Sequence, residues 1–154
     1  MSGKVSLIHN QGHAQLLLES YQRMLGQPLL TIQQDLSLTQ QLFMADFALL
    51  SHNTDADPVF NYANRQAMAL FELDEAQLVL TPSRLSAEPV NQMQRQALLE
   101  QVRSKGYISD YRGVRISRTG KRFMIENAVV WNLLDENGSY HGQAACFSHW
   151  TPVE

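Results

Sequence analysis

The sequence predicts an α+β fold: a five-stranded antiparallel sheet with short helices on one face and an amphipathic helix at its N-terminal end. Three observations predict it. Between Gly12 and Leu25 apolar residues recur at spacings of three and four, the mark of a helix with one sticky stripe. Two short apolar runs flank the turn-forming cluster from Ser51 to Pro58, as in a hairpin. Beyond Gly106 come three long runs rich in Val, Ile and aromatic residues, separated by short turns that contain Gly120 and Gly138.

Each element has its own local reason. Ala14, Leu17, Leu18, Tyr21, Met24 and Leu25 form the stripe of the first helix, and Gly26 with Pro28 stops it. The Gln-rich segment from Leu29 to Thr39 reads as a connection with room for a helical turn. Phe47 to Ser51 and Val59 to Tyr62 read as paired strands. Asn64 can cap a helix whose apolar face is Ala67, Met68, Leu70 and Phe71, and Asp74 can cap another running through Leu80. Thr81 to Pro89 has two prolines and no periodicity, so it reads as a loop held by its side chains rather than by a backbone ladder. Asn91 to Lys105 is the strongest helix, with Met93, Ala97, Leu98 and Val102 on its apolar side, Gln and Arg on the other, and Gly106 after it. Tyr107 to Ser117, Arg122 to Leu134 and Tyr140 to Trp150 read as a three-strand meander. The organisation is a helical extension at 1–40 and a main domain at 41–154.

Composition removes several function classes. The 154 residues suffice for one domain with its own core, not two. Twelve Lys and Arg against fifteen Asp and Glu leave a net charge of -3, which argues against a cationic surface for duplex DNA or anionic lipid. No apolar stretch approaches the ~20 residues of a membrane span. The N-terminal sequence lacks the apolar stretch of a secretory signal. A single cysteine, Cys146, can form neither an internal disulfide nor a thiolate cluster, which fits a reducing compartment. The expectation is a cytoplasmic protein whose partner is neither nucleic acid nor membrane.

The strand and helix order, with Asn64 just past an apolar strand and Leu70-Phe71 on the next helix, resembles the PAS sensory fold. Gly120-Lys121-Arg122-Phe123, then an alternating strand, then Asp135-Glu136-Asn137-Gly138 and Gly142, is similar to the meander that closes a PAS sheet. More specifically, five phrases resemble the MEKHLA family, a PAS-related domain found alone in bacteria and at the C-terminus of plant class III homeodomain leucine-zipper proteins. They are Leu50-Ser51-His52, Phe60-Asn61-Tyr62-Ala63-Asn64, Pro82-Ser83-Arg84-Leu85-Ser86-Ala87-Glu88-Pro89, Gly113-Val114-Arg115-Ile116-Ser117 and Val129-Val130-Trp131-Asn132. The resemblance covers roughly Ala45 to Phe147 and implies sensing or protein interaction, with no ligand to carry over.

In the strand from Arg122 to Leu134, strict alternation puts Phe123, Ile125, Asn127, Val129 and Trp131 on one face and Met124, Glu126, Ala128 and Val130 on the other. Both faces are largely apolar, so both need cover. In PAS-like folds the gap under the helical middle is the ligand pocket. Arg84, Ser86, Arg115, Phe123, Asn127, Trp131 and Phe147 are therefore the candidate ligand-binding residues, with Asn127 and Trp131 facing inward. Arg84 either orients a carboxylate at the pocket mouth or pairs with Glu88 to stiffen its loop. Arg112, Arg115, Arg118, Lys121 and Arg122 read as a solvated face that discourages edge pairing.

Enzyme signatures are poor. Ser51, His52 and Asp55 or Asp57 have triad composition, but consecutive strand residues point to opposite faces whereas a working set converges. His9 and His13 have helical metal-ligand spacing with no third ligand in that segment. A haem would usually take a His from the helix Asn91 to Lys105, which has none. Flavin photochemistry would use a Cys in the helical middle, and Cys146 lies on the last strand. The expectation is a non-catalytic domain without haem or flavin, binding an unidentified small molecule and signalling through a separate effector. The alternative is a small enzyme with Arg84 or Arg115 as oxyanion-stabilising cation and Glu88 or His52 as general base. A homodimer is expected on the N-terminal helix and Met124, Ala128 and Val130, the competing outcome being a helix folded back over its own sheet.

Overall fold

The computed structural model describes residues 5–154. The first residues of the segment read for a secretory signal, and of the expected extension, lie outside the described residues. The strands β1 (Ala48–His52), β2 (Phe60–Ala63), β3 (Tyr107–Ile116), β4 (Arg122–Leu134), β5 (Tyr140–Phe147) and β6 (His149–Val153) form one antiparallel sheet. Its order is β2-β1-β5-β4-β3, with β6 beside the first half of β4. The expected last strand is thus interrupted at Ser148, and both pieces run along β4. The helices are α1 (Gln11–Leu25), α2 (Leu38–Phe43), α3 (Arg65–Phe71), α4 (Glu75–Leu78) and α5 (Pro89–Lys105). The fold is α+β, as the sequence predicts. The expected boundary between residues 40 and 41 falls inside α2, and α1, α2 and the sheet share one core. None of the described helices is long and apolar enough to cross a membrane.

The loop after α4 contains a 3-10 turn, Ser83–Ser86. It is not held by side chains alone. Pro82 bridges Val59, the Ser83 amide donates to the Pro58 carbonyl at 2.8 Å, and the Phe60 amide donates to the Thr81 carbonyl at 3.1 Å. These bonds fix the loop to the start of β2.

Two bulges decide which side chains face inward. β3 gains a residue near Asp110 and β4 one near Asn127, and both residues have positive φ, 57° and 54°. Asp and Asn tolerate that conformation better than other residues with a Cβ. The insertions offset each other, so β3 and β4 stay paired, but each reverses the alternation of its own strand. Before the bulge Ile125 faces α5 and the 3-10 turn; after it, Val130 and Asn132 do. Trp131 therefore faces the other way, beneath α1.

Asn64, fully buried between β2 and α3, ties four segments together. Its Oδ1 accepts from the Ala67 amide at 3.1 Å, which is the expected helix cap, and also from the Leu49 amide at 3.0 Å. Its Nδ2 donates to the Leu42 carbonyl at 3.1 Å and the Phe47 carbonyl at 2.8 Å.

α1 lies on the outer face of its own sheet, the arrangement weighed against a dimer. Leu17 and Ala14 are buried there, and Tyr21 meets Trp131 edge-on with 5.0 Å between ring centres. The Trp131 indole N–H donates to Ser20 Oγ at 3.0 Å. Val130, one of the residues expected at a dimer contact, instead packs with Leu98 and Val102 of α5. At the other end of α1, His13 Nε2 lies 3.0 Å from Ser51 Oγ. The Ser51 hydrogen goes to Asn61 Oδ1 at 2.6 Å, so His13 must be the donor.

Two predictions follow from these contacts. Asn64→Ala leaves the Ala67 and Leu49 amides without their side-chain acceptor, removes the donor to the Leu42 and Phe47 carbonyls, and should lower stability by about 3 kcal/mol or more in urea denaturation. Asn64→Asp should do no better, because an ionised carboxylate supplies neither donation; a loss below about 1 kcal/mol for either would show that the four segments do not depend on this amide. His13 is the pH-sensitive contact. Burial, and secondarily the His141 charge, lower its pKa from 6.5 to about 4. The unfolded chain takes up that proton first, so stability is lost as pH falls from about 6.5 to about 4, by on the order of 3 kcal/mol. His13→Gln should flatten that part of the stability profile, and an unchanged slope would assign the acid sensitivity elsewhere.

Candidate functional site

The inner face of the sheet, α5 and the 3-10 turn border a cavity of about 60 Å³. Its walls are mostly apolar: Leu50, Phe60, Phe71, Leu98, Leu99, Ile125, Val130, Ala144, Ala145 and Phe147. Its polar groups come from several elements. β1 supplies His52, the 3-10 turn Ser83 and Ser86, α5 Arg95, β3 Tyr111 and Arg115, and β5 Gln143. Ser51 also borders it, although its hydroxyl is turned to His13.

Arg95 is 7% exposed and Arg115 8%, so both side chains are largely buried. Arg95 Nη2 donates to Ser83 Oγ at 2.5 Å. Ser83 is held in turn by the Ser86 hydroxyl, which donates to the Ser83 carbonyl at 2.7 Å. Arg115 donates to its neighbour's carbonyl, Val114, at 2.8 Å and to the Tyr111 hydroxyl at 3.2 Å. Burial, followed by the like charge of Arg115, lowers the Arg95 pKa to about 10, which leaves it protonated at neutral pH. Among the described residues no carboxylate lines the cavity.

His52 Nδ1 is 3.0 Å from the Asn53 carbonyl, which fixes the proton on that nitrogen and leaves Nε2 an acceptor. Nε2 is buried with no hydrogen-bond partner. Burial above all, and the Arg95 charge, lower the His52 pKa, with the Asn53 carbonyl and the Gln143 side chain opposing. Gln143 itself donates to the Leu99 carbonyl at 3.0 Å and to Asn132 Oδ1 at 3.2 Å, and Asn132 donates to the Val102 carbonyl at 3.0 Å, so α5 is roped to β4 and β5 beside the cavity. An adjoining groove of about 230 Å³ shares His52, Arg95, Leu99 and Gln143 with the cavity and extends past Asp57 and Arg84.

Of the sequence-predicted residues, Ser86, Arg115 and Phe147 line the cavity. Arg84 borders the neighbouring groove and pairs with Asp57 at 3.1 Å, not with Glu88, which lies 3.8 Å from Arg122. Phe123 sits in the core beside the cavity, edge-on to Phe71 at 5.2 Å. Asn127 and Trp131 do not face inward. Asn127 is the exposed bulge residue, and Trp131 is under α1, because the bulge reverses the alternation on which their facing rested. The basic hairpin is divided as well: Arg115 points in, while Arg118 donates to the Glu72 carbonyl at 2.9 Å and Lys121 lies 3.5 Å from the Glu72 carboxylate. Hydrogen bonds from Ser117 and Thr119 hold that carboxyl at a pKa of about 2.

Arg95, Ser83 and Gln143 are site residues that the sequence reading does not name as such, and it offers His52 only as a general base of the enzyme alternative. The spacing of α5 contained the signal. Arg95, Leu98 and Val102 are its buried residues and share one face, whereas Met93 is 85% exposed. An arginine in phase with two buried aliphatics marks a cation that has to meet something inside.

The sequence matches the family model of the MEKHLA domain over residues 11–152. The chain belongs to the MEKHLA domain family. Among curated relatives of this MEKHLA chain, the rice homeobox-leucine zipper proteins HOX9 and HOX10 are 30% identical to it over 91% of its length, and ATHB-9 of Arabidopsis thaliana 29% identical over 76%. The chain spans about a sixth of the length of these relatives, 17% for HOX9. Solved structures with the same fold include the PAS domain of a protein from Colwellia psychrerythraea, with TM-score 0.61 and 12% identity over 74% of this chain and 92% of that one. A light-oxygen-voltage domain solved with a flavin analogue gives TM-score 0.59 and 15% identity over 78% and 87% of the two chains. The PAS domain of a LuxR-family regulator from Burkholderia thailandensis, in complex with ethanol, gives 0.55 and 14% over 79% and 98%. This MEKHLA chain thus has a PAS-like fold.

One glycine places His52 at the cavity. Gly142 of β5 has φ 123°, and a Cβ there would lie 2.0 Å from the His52 carbonyl oxygen. Gly142→Ala should lower stability by about 2 kcal/mol or more in urea denaturation. Gly138→Ala is the control, since Gly138 has φ 82° with open space around it and so incurs the positive-φ strain without a collision. Equal losses for the two variants would show that the approach of β1 to β5 does not constrain position 142.

Proposed function

We propose that this MEKHLA chain is a sensor domain that binds a small molecule in the cavity beneath α5 and has no catalysis of its own. The observation that carries the reading is a recessed, mainly apolar space whose polar groups are only partly satisfied from within the chain. Ligand sites have that character: apolar walls with a few convergent polar heads. The enzyme alternative is supported less well. Glu88, one of its two proposed bases, is engaged near Arg122 and is not part of the cavity wall, which leaves His52 with no carboxylate in that wall among the described residues.

A flavin does not fit the residues present. The cavity is about 60 Å³, less than half the roughly 150 Å³ that accommodates benzene alone. Cys146 lies on the opposite face of β5, near Tyr21 of α1, and burial pushes its pKa up to about 12. Freshly purified protein should therefore show no band near about 400 or 450 nm, the rough positions expected for haem and flavin. Native mass spectrometry of that protein should reveal a co-purifying small molecule. A protein that carries nothing, and whose melting temperature no member of a metabolite library raises, would overturn the sensor reading.

A further inference from the structure

We propose that the cavity takes a short hydroxy-substituted carboxylate, its carboxylate held by Arg95 and Arg115 and its hydroxyl donated to His52 Nε2. The inference rests on the small-molecule reading above and specifies its ligand.

Charge comes first. Two arginine side chains, each over nine-tenths buried, face one cavity from α5 and β3. Together they carry about ten N–H donors, and three side-chain hydrogen bonds within the chain use them, to Ser83, Val114 and Tyr111. All three acceptors are neutral. Among the described residues no Asp or Glu borders the cavity, and Asp57, whose field reaches Arg95, is already paired with Arg84. A buried cation without a counter-charge is strongly unfavourable, and a carboxylate suits the flat fork of arginine. The second head is an acceptor. His52 is 93% buried by its 7% exposure, and its Nε2 lone pair lacks a partner, so the ligand must bring a donor. The remaining wall, Ile125, Val130, Phe60 and Leu98, accepts only a short hydrocarbon. Size sets the limit: the cavity of about 60 Å³ and the adjoining groove of about 230 Å³ share His52 and Arg95, so a ligand that reaches both heads and extends into the groove has a short chain of a few carbons.

The test is calorimetric titration of the extensively dialysed full chain with glycolate, lactate and 3-hydroxybutyrate, beside propionate, lactamide and inorganic phosphate. At least one hydroxycarboxylate should bind, about tenfold or more tighter than propionate, with lactamide weaker still. Propionate equal to the best hydroxycarboxylate overturns the role of His52; lactamide equal to lactate, or phosphate as the only binder, overturns the carboxylate assignment; no binding by any probe overturns both. His52→Phe should abolish the preference for the hydroxyl compound while keeping propionate binding. Arg95→Gln should weaken the hydroxycarboxylate at least about tenfold while leaving the ligand-free melting temperature unchanged or higher, since it removes one of two like charges. A lower melting temperature with affinity retained would make Arg95 a structural residue. Should Arg95→Gln fail to fold, Arg115→Lys keeps the charge without the fork and should still weaken binding. A non-carboxylate found by native mass spectrometry would overturn this inference and leave the sensor reading in place.

Discussion

The structure depends first on one amide. Asn64 accepts two backbone hydrogen bonds and donates two, joining the end of α2, the start of β1 and the first turn of α3 at the end of β2. Each of those segments is short: β1 has five residues, β2 four, α3 seven. None could fold alone, because elements of that length have too few internal hydrogen bonds to offset the entropy of ordering them. A side chain with both donor and acceptor capacity at the point where they meet lets the backbone change direction in the interior without orphaned groups. The inner wall of the cavity inherits its position from this junction, since Leu50 and His52 lie on β1 and Phe60 on β2.

Much of this was legible in the sequence, and the limits have physical causes. Strand β4 was read at its observed bounds, Asn64 and Asp74 cap the helices expected of them, and the order of elements is as expected. Facing along β4 was not legible, because period-two alternation assumes an unbroken ladder and Asn127 breaks it. The residue types offer a hint. Asp110 and Asn127 are residue types that accept the left-handed region, placed inside strands, and both sit at the bulges with positive φ. Read as bulge residues, they return Trp131 to the outer face and Val130 to the inner. The bulge is the reason the indole closes the core beneath α1 while the cavity is lined by aliphatics.

α5 is only partly legible, for a different reason. Leu98 and Val102 of its expected apolar side are buried, but Val90 and Met93 are exposed while Arg95 is buried, so hydrophobicity alone does not fix the facing. Tertiary bonds decide the matter instead: Leu99 and Val102 carbonyls accept from Gln143 and Asn132, and Arg95 reaches Ser83. The helix is seated by polar contacts around an aliphatic pair, Leu98 and Val102. Buried polar contacts of that kind select one seating rather than adding much net stability.

β1 connects that cavity to the opposite side of the sheet. His52 faces inward and its neighbour Ser51 faces α1, where His13 donates to it. Adjacent residues of a strand project to opposite faces, so a displacement of His52 moves the Ser51 backbone directly. Ser51 has little slack, because its hydroxyl is already committed to Asn61 while accepting from His13. Movement there must either stretch a buried hydrogen bond or carry the N-terminal end of α1 with it. The other end of α1 is anchored separately, by Ser20 and Tyr21 on Trp131. The two ends of α1 therefore rest on different strands, the N-terminal end on β1, whose next residue lines the cavity, and the C-terminal half on Trp131 of β4.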